Sequence, residues 1–240
     1  MAFDRKPEMR MSRHAAVYGQ MARFNPNSDL TYTGSFLVVN DSNTAWRVKF
    51  LTSGVLTFLK DPKGIDLFIA GGGGGGAQAG GGGGGGYTGV WPAVAVTPGT
   101  GYSVQIGAGG AGVTVGSGND GSPSSALGYT AAGGKGGIRS YIYEERFGGN
   151  GGSGGGGYSN GAAGADGLNG GGGDYARGGY GQGSTTREFH EGTGTLYASG
   201  GACGPDNDGA ANTGNGGDGY GYNYNGMPGG SGIVVIRNAV

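Results

Sequence analysis

The sequence is poor in the residues that most often carry catalysis or covalent cross-links. Among its 240 residues there are one cysteine, Cys203, and two histidines. A single cysteine excludes an intrachain disulfide that would stabilise a thin core. Two histidines offer little material for a metal site or a Ser–His pair. We therefore expect a protein that is not an enzyme and that binds no metal and no cofactor.

Long apolar runs and excess charge are also missing. No apolar stretch approaches the roughly 18 residues of a membrane-spanning helix, and the first part of the chain lacks the apolar core of a signal peptide. The 15 Lys and Arg residues nearly balance the 16 Asp and Glu residues. The chain as a whole is therefore not attracted to nucleic acid or anionic lipid. We expect no membrane insertion, no nucleic-acid partner, and release from the producing cell without a signal peptide.

Glycine is what the sequence has in excess. Of 66 glycines, only Gly19, Gly34, Gly54 and Gly64 lie in the first seventy residues. Fixing a backbone costs roughly 1–2 kcal/mol per residue, and glycine has no side chain to offset that cost. An ordered glycine-rich region must therefore be held by backbone hydrogen bonds and close chain-to-chain contact. Because a helix of the polyproline type points every N–H and C=O outward, the composition predicts a bundle of polyglycine-II helices.

Short runs of β-branched and aromatic residues predict strands on both sides of the glycine tracts. Trp46, Val48 and Phe50 alternate with charged or apolar neighbours, which is the period of a strand with one buried face. Ser231–Arg237 predicts a last strand. Four such runs separated by turn sequences lie between residues 30 and 70: Ser35–Asn40, Ala45–Thr52, Gly54–Lys60 and Ile65–Ala70.

These patterns predict a mainly β and irregular fold in three parts. Residues 1–29 form an N-terminal assembly arm, and residues 30–70 form a small antiparallel β unit. Residues 71–240 form a polyglycine-II helix bundle with short flanking strands, closed by the C-terminal strand. A flexible tail is the other structure typical of such a composition, but a disordered tail has no reason to end in "SGIVVIR".

Two motifs suggest ligand binding but lack the required spacing. "GGKGG" around Lys135 lacks the preceding glycine and the following Ser or Thr of a phosphate-binding loop. In "REFHE", His190 stands between Glu188 and Glu191. The other histidine, His14, is far away in the sequence, so we interpret this stretch as an exposed polar loop rather than a metal site.

Three motifs carry a family resemblance. "IDLFIAGGGGGG", "VTPGTGYSVQIGAGGAG" and "GGSGIVVIR" occur in this order between about residues 50 and 237. With them the chain resembles the glycine-rich domains of phage and prophage tail proteins. More distantly it is similar to the polyglycine-II tail-fibre adhesins of T-even-type phages and to the glycine-rich domain of the anaplastic lymphoma kinase ectodomain. The resemblance implies a virion protein of the tail fibre, tail tip or baseplate.

The adhesin resemblance also implies a binding function, since loops at one end of the adhesin glycine region carry receptor specificity. Aromatic side chains bring large contact area and stack on sugar faces. We therefore predict binding of a host surface receptor, a glycan or an outer protein. For each aromatic residue the structural alternative is that it only covers the glycine region. The predicted receptor-binding residues are Tyr141, Tyr143, Phe189, Tyr222 and Tyr224.

The resemblance implies partners within the virion as well. Residues 1–70 are expected to dock to other virion tail proteins, and the protein is expected to form a homo-oligomer. It is expected to reside in the virion tail after synthesis in the host cytoplasm. Three alternatives stay open: a purely structural virion subunit, an ice-binding protein, and a disordered RNA-binding protein suggested by "ARGGYGQG" (Ala176–Gly183).

Overall fold

A computed structural model describes the chain in six ranges: residues 24–40, 45–142, 145–157, 183–204, 207–219 and 225–239. Two short 3-10 helices, Gly183–Thr186 and Glu188–His190, lie among them, and no helix in these ranges has the length and apolar character needed to cross a membrane. The strands of the described ranges are β1 (Leu30–Tyr32), β2 (Phe36–Asn40), β3 (Trp46–Phe50), β4 (Gly54–Phe58), β5 (Ile65–Ala70), β6 (Thr88–Val94), β7 (Gly101–Gln105), β8 (Ser124–Ala126), β9 (Tyr129–Ala131) and β10 (Ile233–Asn238).

These strands form two antiparallel sheets of five strands each. Sheet A has the order β1-β4-β7-β8-β9, and sheet B has the order β2-β3-β10-β5-β6. Their inner faces share one core of buried apolar side chains, with Leu56 and Phe58 from sheet A and Phe50, Leu67 and Val234 from sheet B. The main core therefore lies between the two sheets, as in a β-sandwich.

Strand β3 shows how the sequence pattern selects a buried face. Trp46, Val48 and Phe50 are buried in the core, whereas Arg47 and Lys49 alternate with them and are only partly covered. Successive side chains of a strand point to opposite faces of its sheet, so the two basic residues lie on the outer face of sheet B. The period-two prediction is confirmed for this strand.

Strand β5 has no such alternation, because both of its faces are covered. All six residues of Ile65–Ala70 are buried. One face contributes to the main core, and on the other face Phe68 and Ala70 form a second apolar cluster with Phe189 and Tyr197. The apolar run Leu67–Ala70 is the pattern expected of a strand that is buried on both sides, and the one charged residue of the strand, Asp66, pairs with Arg237.

The C-terminal strand β10 lies in the middle of sheet B. Its Val235 is opposite Lys49 of β3 on one side and Phe68 of β5 on the other. The strands before residue 70 are divided between the two sheets, and β6 to β9 complete both sheets from within the glycine-rich part. Strands β3, β4 and β5 therefore each pair with a strand from a later segment, whereas β1 and β2 pair only within residues 30–70.

The predicted polyglycine-II helix bundle is wrong. Regular secondary structure in the described residues consists of the two five-stranded sheets and the two short 3-10 helices, so the protein is β-rich. The prediction failed because four strands, β6 to β9, lie inside the region that we had assigned to glycine helices. Of these four strands, β6 pairs with β5 and β7 pairs with β4, outside that region, whereas β8 and β9 extend sheet A from β7. Their side chains specify this strand pairing.

The glycine tracts themselves are packed backbone against backbone. Successive N–H groups donate to different neighbours: Gly72 N to Ser122 O (2.9 Å), Gly73 N to Gly230 O (2.9 Å) and Gly74 N to Gly84 O (2.8 Å). A Cβ added to Gly73 would lie 2.0 Å from the carbonyl oxygen of Asn215, and one added to Gly85 would lie 1.9 Å from that of Ala198. These positions therefore admit no side chain.

Candidate functional site

Loops from distant parts of the sequence meet at the turn Ala77–Ala79, which joins the two longest glycine tracts. Backbone hydrogen bonds connect this turn and its flanks to three loops, from Gln78 N to Gly116 O (3.2 Å), from Gly81 N to Ile138 O (3.3 Å) and from Gly76 N to Met227 O (2.8 Å). We call this region the loop end. It comprises residues 76–81, 112–118, 138–142, 145–147, 203–204 and 225–227.

The loops of the loop end also bond to one another. Val113 and Gly226 exchange two backbone hydrogen bonds, of 3.0 and 2.8 Å. The N–H of Arg139 donates to Ser117 Oγ (3.0 Å). These bonds join segments that are remote in sequence, so the loop end is one connected surface.

The loop over residues 138–147 has a buried anchor and an exposed tip. Ile138 N donates to Phe147 O (2.8 Å) and closes the loop at its base. Arg146 is only 1% exposed, and its Nε donates to the carbonyl oxygen of Ser140 (2.7 Å). Tyr141, the next residue, is 86% exposed. The buried guanidinium thus holds the backbone that presents Tyr141 to solvent.

Exposed apolar side chains are concentrated at the loop end. Of the ten large apolar residues that are exposed in the described ranges, five lie here: Val115, Ile138, Tyr141, Ile142 and Phe147. The guanidinium of Arg139 lies 5.5 Å from the centre of the Tyr141 ring, close enough for a cation–π contact. Contiguous exposed apolar surface marks binding sites in many soluble proteins, so this patch is the candidate functional site.

One of the predicted receptor-binding residues, Tyr141, lies at the loop end. Three others, Tyr143, Tyr222 and Tyr224, lie outside the described residues. The described residue Gly226 follows Tyr224 by two positions in the sequence. Gly226 belongs to the loop end through its backbone hydrogen bonds to Val113.

The structure places Phe189 elsewhere. It lies on the outer face of sheet B, is 7% exposed, and packs with its ring centre 6.2 Å from that of Phe68. The guanidinium of Arg237 covers it at 4.3 Å from the ring centre. Phe189 therefore does not share a surface with Tyr141, and its ring is not available at an open loop.

Phe189 belongs to residues 186–198, which lie against the outer face of sheet B and which we call the covering segment. A group of charged residues holds this segment in place. Arg47, Lys49 and Arg237 project from the outer face of the sheet, and Glu188 and Glu191 come from the covering segment. With Asp66 of β5, which pairs with Arg237, three cations face three carboxylates. We call the group the charged cluster; its members are Arg47, Lys49, Asp66, Glu188, Glu191, Tyr197 and Arg237.

Glu188 is the centre of the charged cluster. Its carboxylate is 5% exposed and accepts hydrogen bonds from Arg47, from Lys49 and from the hydroxyl of Tyr197. Glu191 accepts from Arg47 (2.9 Å) and Arg237 (3.1 Å). The interpretation of this stretch as an exposed polar loop is therefore wrong. Arg47 and Lys49 of β3 are partly covered and pair with the buried carboxylate of Glu188. In the sequence, the only sign of these ion pairs is the alternation of Arg47 and Lys49 with core residues.

The turn that carries Glu188 is locally strained. Phe189 and His190 have φ angles of 52° and 60°, in the left-handed region that non-glycine residues rarely adopt. Such conformations persist only where surrounding contacts hold them. Here the contacts are the ion pairs of Glu188 and Glu191 with sheet B.

The pKa values reflect this environment. Burial raises the pKa of the Glu188 carboxyl, but hydrogen bonds from Lys49 and Tyr197 and the positive charge of Lys49 outweigh it, so the net pKa is below its ordinary value. Burial and the neighbouring Glu188 together raise the pKa of Tyr197 far above its ordinary value. At neutral pH the carboxyl is therefore charged and the phenol is protonated, which suits the hydrogen bond between them.

A cavity of about 290 Å³ lies beside the charged cluster, lined by Val39, Arg47, Lys49, Glu188 and Glu191 together with residues 193–195. The charged groups in its wall are already paired with one another, so they offer no unpaired charge to an ionic ligand. In the described ranges, no three His, Cys, Asp or Glu side chains come together to hold a metal ion. The ion pairs of the charged cluster join the covering segment to sheet B.

The single cysteine is not poised for reaction. Burial, with a smaller contribution from the charge of Asp218, raises the pKa of the Cys203 thiol to about 12. The thiolate is the nucleophilic form of cysteine, so at neutral pH this thiol is almost entirely unreactive.

Acidification is expected to weaken the charged cluster through Glu188. Its pKa is lowered in the folded chain from the ordinary value of 4.5, so the unfolded state takes up the proton first. The stabilisation is then fully present above the ordinary pKa and is lost as pH falls through the lowered folded-state pKa. Denaturant unfolding at a series of pH values should show a smaller loss of stability below pH 4.5 in Glu188→Gln than in the wild type. Parallel curves would contradict this assignment, since other carboxyls titrate in both proteins.

Comparison with known protein families identifies the family of the chain. A family model described as "Glycine-rich domain" matches residues 52–239. The matched region begins just before β4 and extends through the glycine tracts, the loop end and β10. No curated protein matches the chain.

Proposed function

The chain belongs to the glycine-rich domain family, and from that premise we propose that it is a tail protein of a phage or prophage virion that binds a host surface receptor with its loop end. The observation that carries this proposal is the convergence of remote loops into one surface with an exposed apolar patch. Binding residues are found disproportionately on loops that a rigid scaffold positions.

The glycine tracts supply the rigid scaffold. The bonds of Gly76 and Gly81 attach the loops directly to these tracts. A Cβ on Gly76 would lie 2.0 Å from the carbonyl oxygen of Asp218, so the tract packs against neighbouring backbone without space for a side chain. A pre-organised surface loses little conformational entropy when it binds.

Tyr141 is the proposed centre of the binding surface. It is the most exposed large apolar residue of the described ranges, and its backbone is anchored by the bond from Arg146 to Ser140. A rigidly held tyrosine brings both an apolar ring and a hydroxyl to a partner at low entropy cost. Phe189 is not part of the proposed surface, because it is buried at sheet B.

The remaining parts of the proposal concern assembly. Residues 1–70 would dock to other virion tail proteins, which leaves the loop end directed toward the host. The protein would act by binding alone, without catalysis and without a cofactor, and would reside in the virion tail.

A Tyr141→Ala variant tests the receptor-binding proposal. Labelled wild-type protein is expected to adsorb to at least one member of a panel of bacterial strains. The variant should adsorb at least about 30-fold more weakly than the wild type, because losing a binding hot spot costs about 2 kcal/mol or more. Leu59→Ala is the control, because Leu59 is 53% exposed but lies outside the loop end.

Two outcomes would contradict the proposal. If the wild type adsorbs to no strain, or if Tyr141→Ala adsorbs as well as Leu59→Ala, the loop end does not bind a host receptor. Immunogold labelling of virions then tests the alternative of a purely structural subunit, which requires the protein on the tail without any effect of Tyr141 on adsorption.

A further inference from the structure

In the described ranges the two sheets have four edge strands, and three of them are protected against pairing with another chain. Edge strands in natural proteins are protected by short length, proline, charge or bulges. β1 and β9 have three residues each. β6 contains Pro92 and has a register shift opposite Ile65 and Leu67.

The fourth edge strand, β2, has none of these protections. Its sequence FLVVN contains no charge and no proline, and it pairs with β3 in unbroken register over all five residues. Phe36 is 38% and Leu37 is 52% exposed. A regular, apolar and uncharged edge is a template for a further strand.

The hydrogen-bond ladder shows which groups of β2 are open. Leu51 N donates to Ser35 O (2.9 Å), and this pair is the next position beyond Phe36↔Phe50 in the β2–β3 register. Hydrogen-bonded and non-hydrogen-bonded pairs alternate along an antiparallel ladder. Because Ser35 and Leu51 are a hydrogen-bonded pair, Phe36 and Phe50 are a non-hydrogen-bonded pair.

The same alternation continues along the strand. Leu37 and Val39 direct their N–H and C=O groups to β3, whereas Phe36, Val38 and Asn40 direct theirs to the open edge of sheet B. Among the described strands, β2 pairs with β3 alone, and no described hydrogen bond outside the strand ladders has the N–H of Phe36 or Val38 as its donor. These groups are therefore positioned to pair with another strand.

We propose that the chain forms a dimer in which β2 pairs antiparallel with β2 of a second copy. The two-fold axis passes between Val38 and Val38 of the other copy. Phe36 is then opposite Asn40, and every residue that directs its N–H and C=O outward meets an outward-directed residue of the other strand. Leu37 is opposite Val39 on the outer face. Sheet B of one copy becomes continuous with sheet B of the other.

A second copy fits this edge better than an unrelated strand, because β2 is self-complementary. In the two-fold register no charged residue of one strand meets the other strand, and the outer-face pair of Leu37 with Val39 is apolar on both sides. A partner strand with charges would bury them against these side chains without counter-charges. Two-fold pairing also occupies both open edges at once, which gives a closed dimer rather than a growing fibre.

Light scattering coupled to size-exclusion chromatography tests the dimer. The full-length wild type is expected to be a dimer, and Leu37→Lys is expected to weaken dimerisation at least tenfold, because it places a charge in the new strand pair. Leu59→Lys is the control, since Leu59 is as exposed as Leu37 but is not in β2, and it should remain dimeric. A wild type that is monomeric or trimeric, or a Leu37→Lys variant as dimeric as the control, would overturn the proposal.

Cysteine cross-linking tests the register without depending on a destabilising charge. Leu37 and Val39 of the other copy form a non-hydrogen-bonded pair with Cα atoms about 4.5 Å apart, within disulfide range. Co-expressed Leu37→Cys and Val39→Cys chains should form a covalent dimer with a mild oxidant. Each variant alone, like the wild type with only Cys203, should not. The proposed register would be overturned if either variant alone cross-links as readily as the co-expressed pair. It would also be overturned if the co-expressed pair does not cross-link at all.

Discussion

Gly73→Ala is expected to be among the most destabilising single substitutions in this protein. Its Cβ would lie 2.0 Å from Asn215 O and 2.7 Å from Gly216 N, far inside the optimal contact distance of about 3.5–4.0 Å between non-bonded carbon atoms. The obstructing atoms are backbone, so no side chain can turn aside. Moving the segment would also break the bonds that Gly73 makes to Gly230 and Gly110. We expect a loss of about 3 kcal/mol or more, measured by denaturant unfolding followed through tryptophan fluorescence.

Gly192→Ala is the matched control for Gly73→Ala. A Cβ at Gly192 would meet nothing within 4 Å, and its φ lies outside the left-handed region. Alanine at such a site restricts the unfolded chain, so stability should rise by about 0.4–1 kcal/mol. The two substitutions are chemically identical and have opposite expected signs. Equal effects would mean that backbone packing is not what requires glycine in the tracts.

Glu188→Gln is expected to have the second largest effect. The substitution keeps the shape of the side chain but removes the ion pairs that Lys49 and Arg47 make with Glu188. Removing one partner of a buried ion pair typically costs about 3–5 kcal/mol. We expect a loss near 3 kcal/mol, because the partners of Glu188 are partly exposed. We also expect faster hydrogen exchange at Tyr197 N, which donates to Thr186 O in the covering segment.

Glu145→Gln is the control for the charge change. Glu145 is exposed and accepts a hydrogen bond from Ser140 Oγ (3.0 Å), and substitutions at such surface sites usually change stability by less than about 0.5 kcal/mol. If Glu188→Gln behaves like Glu145→Gln in both unfolding and exchange, the charged cluster does not hold the covering segment on sheet B.

Local sequence patterns located several strands but did not identify their neighbours. The alternation around Val48 and the run of β-branched, aromatic and other apolar residues around Asp66 in Ile65–Ala70 predicted β3 and β5, and the run after Ser231 predicted β10. The position of β10 between β3 and β5 was not predicted. Periodicity reports which faces of a strand are buried, whereas the choice of neighbour depends on packing across the whole chain. For the same reason the predicted division into a β unit and a glycine bundle gave the wrong fold class.

The candidate site was predictable only in part. Tyr141 was chosen for its aromatic ring in a segment with few glycines, and the structure places it at an exposed tip. Phe189 was chosen on the same grounds and is buried against Phe68. Composition cannot distinguish Tyr141 from Phe189, because the difference is whether the segment that carries the ring packs against a face of a sheet. The hydrogen bonds between Val113 and Gly226 likewise have no signature in the local sequence around either residue.

Composition alone excluded a disulfide-stabilised core and indicated that backbone contact must replace side-chain packing after residue 70, because glycine has no side chain to bury. The alternation in β3 likewise defined a core face and a basic face. Only the assembled structure decided which carboxylates neutralise Arg47 and Lys49, which loops surround the Ala77–Ala79 turn, and which strands lie at the sheet edges of the described ranges. These features depend on contacts between residues far apart in the chain, and the free energy of such contacts is set by three-dimensional proximity rather than by local sequence.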